Sequence, residues 1–91
     1  MYKITKYSYD QAKKLNVIIM PSKNKLKKID VFNNKGELLH SIGDINYFDY
    51  PTYLQVDKAL ANNRRKLYKI RHQTDRKIKS SAGYYADKIL W

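Results

Sequence analysis

The sequence predicts an α+β domain: a small antiparallel three-stranded meander packed against one long basic helix, with short helices at both ends. Three observations predict it. Residues 17–43 alternate apolar and polar side chains in short runs broken by turn residues. Residues 56–72 place apolar side chains at the helical period amid a run of Lys and Arg. The chain has 91 residues and 43% hydrophobic content, enough for one modest core and for no second domain.

The elements follow in order. Ser8 with Gln11 three positions on has the form of a capping box, which opens a short helix over residues 9–15, and Asn16 stops it. "NVIIMPS" is a strand ending at Pro21, and "SKNKLKK" is a basic, solvated loop. "KIDVFN" sets Ile29 and Val31 on one side and Asp30 and Phe32 on the other. "NNKG" turns the chain with Gly36 at a positive-φ position, and "ELLHSIG" returns as the partner strand. Residues 44–55 form an aromatic loop, because Pro51 disfavours helix at Tyr50. The basic helix spans 56–72. "QTDRKIKS" is a polar linker, and Ser81 caps a last helix over 81–91.

Charge is the dominant feature. The formal net charge is +11, and residues 61–79 hold eight basic residues against the single acid Asp75. Such an excess attracts polyanions. A helical wheel divides it. Val56, Leu60 and Leu67 share an arc flanked by Tyr68 and Ile70, and Arg64 and Arg71 fall inside that arc. Lys58, Arg65, Lys69 and His72 fall opposite, with Lys66 at the edge. A helix surface built for stability mixes signs, and here acidic compensation is nearly absent. The outer set, extended by Arg76, Lys77 and Lys79, is the candidate nucleic-acid-binding surface, set against the alternative of a merely solvated face. Arg64 and Arg71 point toward the domain and need partners, because an unpaired buried guanidinium is costly. Asp49 is the expected partner, ahead of Asp44, Asp87, tyrosine oxygens and backbone carbonyls. Snorkelling of the two side chains to water is the first alternative, and contact with a ligand is the second.

Other chemistry is sparse. There is no cysteine, which removes disulfides, thiolate zinc sites and cysteine nucleophiles. No metal or other cofactor is expected, since His40 and His72 have no partner at a metal-ligand spacing. "RH" at 71 and 72 with Asp75 falls short of a nuclease constellation, so no catalytic residue is expected. The longest strongly apolar run, "VIIM", is too short to cross a bilayer, and the N-terminus has no signal-peptide stretch. Tyr47, Tyr50 and Tyr53 recur every three residues with Phe48 between them. Rings of this kind fill the rim of a small core or stack on unpaired bases. Core packing is the expectation here, because the triplet lies outside the basic run. Trp91 is expected to fold back onto the core.

The order of motifs resembles a small uncharacterised family of large DNA viruses of eukaryotes. Its pattern runs KK–G–FG–YxDY–D–RRxxYxxRH–G–LW. Here it falls on Lys27, Lys28, Gly36, Gly43, Tyr47, Asp49, Tyr50, Asp57, Arg64, Arg65, Tyr68, Arg71, His72, Gly83, Leu90 and Trp91, preceded by Pro21 and Ser22, with Ile42 in place of the family's Phe. The resemblance covers residues 20–91. It implies a viral protein made in the infected host cell, with the virion as a further location, and it implies no activity. It places Asp49, Arg64, Tyr68 and Arg71 in one pattern, which suits a structural polar network. The expected function is non-enzymatic binding of nucleic acid, DNA ahead of RNA, through phosphates. The alternative is a minor capsid or cement protein contacting acidic coat-protein surfaces. Neither a membrane partner nor an oligomeric state is implied.

Overall fold

The chain runs α1 (Lys6–Lys14), β1 (Ile18–Pro21), β2 (Lys27–Phe32), β3 (Leu38–Asp44), α2 (Tyr50–Leu54), α3 (Lys58–Arg71), a 3₁₀ turn at Asp75–Lys77, and α4 (Ala82–Leu90). The structure, a computed structural model, describes residues 2–91. The strands form one antiparallel sheet in the order β1-β2-β3, and the α+β class holds. Among the described residues no helix is long and apolar enough to cross a membrane.

Helix α1 begins one turn earlier than the capping-box reading places it. Thr5 is the cap, its hydroxyl accepting from the Ser8 amide at 3.4 Å. Ser8 lies inside the helix, fully buried, and donates to the Ile89 carbonyl at 2.9 Å. That carbonyl lies in the last turn of α4, where no helical amide follows to satisfy it. The helix stops at Asn16, with φ +59°. The Asn16 and Val17 amides bond back to the carbonyls of Lys13 and Ala12, both at 3.1 Å, which closes a Schellman motif.

In the meander, Asn33 and Gly36 make the turn between β2 and β3. The Asn33 side chain accepts from the amides of Lys35 and Glu37, and Gly36 takes φ +82°. Ile19, Ile29, Val31 and Ile42 are buried on the face turned to the core. That face is covered by α4, through Tyr85, Ile89 and Leu90, and by α1, through Ala12. The long helix does not cover it; α3 packs on α2. The most apolar helix therefore takes the sheet, and the basic helix is left to the aromatic segment.

Helix α2 replaces the expected loop. Asp49 caps it, accepting from the Thr52 amide at 3.0 Å, and Pro51 sits in the first turn, where a missing N–H costs nothing. Asp57 caps α3 and Ser81 caps α4. Between the Lys27–Asp44 and Ile29–Ile42 pairs, Gly43 holds φ +80°. A Cβ there comes to 2.7 Å from Leu90 Cδ1 and 3.1 Å from Lys28 Cδ.

Replacing Gly43 with Ala combines a left-handed backbone penalty of about 1–2 kcal/mol with an overpacking cost of about 1–3 kcal/mol. Urea unfolding of Gly43→Ala is expected to show a lowered midpoint with the slope unchanged.

Candidate nucleic-acid interface

The candidate interface is built around a buried ion pair. Asp49 is fully buried and Lys28 is 4% exposed. Asp49 Oδ2 accepts from Lys28 Nζ at 3.0 Å and from the Tyr2 hydroxyl at 2.6 Å. Its Oδ1 accepts from the Thr52 amide at 3.0 Å and the Thr52 hydroxyl at 2.6 Å. Burial opposes ionisation of this carboxyl, but the bonds from Thr52 and Tyr2 and the Lys28 charge outweigh it and hold its pKa below the ordinary value. Burial, reinforced by the same carboxylate, pushes the Tyr2 hydroxyl well up. Asp30 is a second buried carboxylate. Burial again works against its charge, and Ser22, Ser41 and the Lys23 amide overcome that and lower its pKa.

The partner of Asp49 is thus Lys28, and the expected network of Asp49, Arg64, Tyr68 and Arg71 is corrected. Arg64 and Arg71 are exposed, and no carboxylate among the described residues pairs with either. Lys28 stands where the basic loop passes into β2, and residue pattern does not distinguish a buried lysine there from a solvated one. The Asp-Tyr-Pro-Thr order is the available signal for α2, since Asp ahead of a first-turn proline marks a capped helix; that its carboxylate is buried has no local signature.

The facing of α3 is also reversed. Its inward stripe is Ala61, Arg65, Tyr68 and His72, spaced i, i+4, i+7, i+11, while Val56, Leu67 and Ile70 stay exposed. Arg65, expected on the outer stripe, donates Nε to the Trp91 backbone oxygen at 2.6 Å and Nη2 to the Tyr7 hydroxyl at 3.1 Å. Its guanidinium lies 4.1 Å from the Tyr50 ring centroid. Lys69, also expected outside, binds the buried Asp87 at 2.7 Å. Tyr68 stacks between Trp91, at 4.4 Å, and His72, at 4.3 Å. Burial, with the charges of Asp87 and Asp75, pushes its hydroxyl up to about 12. The reversal has a physical cause. The surface facing α3 is aromatic, and a planar guanidinium stacks on such a surface better than an aliphatic chain does.

The remaining candidates divide. Lys58, Lys66, Lys77 and Lys79 are exposed, and none is paired with an acid among the described residues. Arg76 is half-buried and donates to the Lys69 carbonyl at 3.1 Å, and His72 Nδ1 meets Asp75 at 3.1 Å.

The arc read as a core face is in fact one wall of an open groove of about 840 Å³. Arg64, Leu67 and Arg71 line it from α3, and Tyr47, Phe48 and Tyr53 line it from the segment around α2. Leu90 and Trp91 line it from the end of α4. Tyr50 is buried, but Tyr47 is 70% exposed and Phe48 60% exposed, so the aromatic run does not simply fill the core rim.

Comparison with known proteins finds no matching family model, no matching curated protein and no matching solved structure.

Removing one partner of the buried pair leaves the other charge uncompensated, at a cost of about 3–5 kcal/mol. Asp49→Ala is expected to lose that much in urea unfolding. The double change Lys28→Met with Asp49→Leu is expected to lose far less than the two single changes added together. Because Asp49 and Asp30 both ionise below their unfolded value of about 4, their stabilisation is complete above that pH and disappears as the pH falls through the folded values. A urea midpoint that is flat near neutrality and drops below about pH 4 checks this.

Proposed function

We propose that this chain is a non-enzymatic nucleic-acid-binding protein that holds its ligand through phosphate contacts with little choice of sequence. The carrying observation is the set of exposed, unpaired cations on α3 and the segment after it. These are Lys58, Lys66, Lys77 and Lys79, joined by Arg64 and Arg71 on the groove wall. Arg65 and Lys69 leave the set, since each is engaged by a partner inside the fold. Cations of this kind release condensed counterions when they meet phosphates, which supplies affinity without base readout.

We infer a source in a large DNA virus, with the protein acting in the infected cell or carried in the virion. The support is that Lys28, Gly43, Tyr47, Arg64, Tyr68, Arg71 and Trp91, which carry the family resemblance, all line one groove. A minor capsid or cement role is the second reading. It is favoured by Ile18 and Met20 on β1 and Leu38 on β3, each about half exposed and suited to burial against another protein.

Fluorescence anisotropy with labelled duplex and single-stranded DNA and RNA at several salt concentrations tests the first reading. The affinity is expected to fall linearly on a log–log plot, DNA ahead of RNA. Each of Lys58→Ala and Lys66→Ala is expected to flatten the DNA slope by about 0.9 if it removes one phosphate contact. Absence of binding at low salt to any nucleic acid overturns the reading and turns attention to the coat-protein partner.

A further inference from the structure

We infer that the groove between α3 and the Tyr47–Tyr53 segment receives unpaired bases, so that the ligand it selects is single-stranded nucleic acid. The inference rests on the nucleic-acid reading above and adds the strand form and the base-contacting residues. Phe48 and Tyr47 are the stacking platform, and Arg64 and Arg71 hold the phosphates of the same strand.

Four observations converge. The groove's volume of about 840 Å³ lies within the range of about 300–1,000 Å³ that encloses small organic ligands. Its rim carries two aromatic rings mostly open to water, in a chain with little apolar surface to spare for its core. Phe48 meets Tyr53 only edge-on, at 77° and 5.6 Å, and remains 60% exposed. The cations are placed on the other wall. Arg64 and Arg71 lie seven residues apart on one stripe, about 10 Å along the helix axis, which leaves room for a base between the phosphates they hold.

The charge of the groove selects among occupants. Its lining includes Arg64 and Arg71 against the single acid Asp44, while Lys28 is already neutralised by Asp49. A second copy of this chain carries the same +11 charge and is repelled from such a surface. A duplex presents phosphates but keeps its bases stacked inside, so it satisfies the arginines and leaves the rings in water. An unpaired strand offers both an anion and a flat apolar face. Stacking of this kind tolerates any base, in keeping with binding that does not choose sequence.

The test uses the whole chain with a fluorescein-labelled oligothymidylate of about 15 nucleotides, and a duplex with the same number of phosphates. The unaltered protein is expected to bind the single strand more tightly. Phe48→Ala and Tyr47→Ala each remove an exposed ring, so the fold, followed by circular dichroism and urea midpoint, is expected to persist. Each is expected to weaken single-strand binding by about 5- to 100-fold, with duplex binding changed less than about twofold. Phe48→Trp is expected to restore the single-strand preference. Equal losses on both ligands, or none on either, overturn the inference while salt-dependent duplex binding leaves the proposed function standing. A protein that sediments as a dimer, and becomes monomeric on Phe48→Ala, assigns the groove to a second copy and overturns the inference likewise. No binding to either oligonucleotide removes both the inference and the reading beneath it.

Discussion

The Asp49 carboxylate has left water entirely, and the rest of the fold is arranged around that fact. Desolvating a charge costs several kcal/mol, which is recovered only with a close counter-ion and a full set of hydrogen bonds. Asp49 has both, from four donors on three separate segments: Tyr2 ahead of α1, Lys28 on β2, and the Thr52 amide and hydroxyl within α2. One side chain thereby caps a helix, pins that helix to the sheet and draws in the N-terminal segment. The position of α2 sets the aromatic surface on which α3 lies, through Tyr50, whose ring faces Arg65 and whose hydroxyl donates to Asn62 at 3.2 Å. The groove exists because these elements are held apart at a fixed distance, with Gly43 keeping the space beside Lys28 and Leu90 free of a side chain.

The meander was legible in the sequence because strand alternation and the Asn33–Gly36 turn are local rules that no distant partner overrides. The facing of α3 was not legible. A wheel weights Leu67 and Ile70 as core and Arg65 as surface, which holds when the opposing surface is aliphatic. Here it consists of Tyr7, Tyr50 and Trp91, contributed from three distant parts of the chain. Pattern alone has no access to that composition. Ser8 illustrates the same limit on a smaller scale: a residue with the look of a helix cap meets a polar need, but the need belongs to the Ile89 carbonyl at the far end of the chain.

The charge of the molecule is also sharper than its total suggests. Of the eight acids, Asp30, Asp49 and Asp87 are buried, and Lys28 is the one fully buried cation they take with them. The fold draws negative charge inward and leaves the positive charge outside. Asp57 is committed to capping α3, Asp10 pairs with Lys6, and Asp75 meets the His72 ring. The result is an outer surface on which the lysines of α3 and the following segment meet little opposition.

The cover of the sheet comes last in the chain. Ile29, Val31 and Ile42 are ready early, yet Tyr85, Ile89 and Leu90 close over them, and the Ser8 and Arg65 side chains both end on backbone oxygens of that final stretch. On a ribosome, the meander emerges with its apolar face still open. The core therefore cannot close until residues 82–91 have cleared the exit tunnel, and a chain arrested before Tyr85 presents an uncovered sheet to chaperones and proteases.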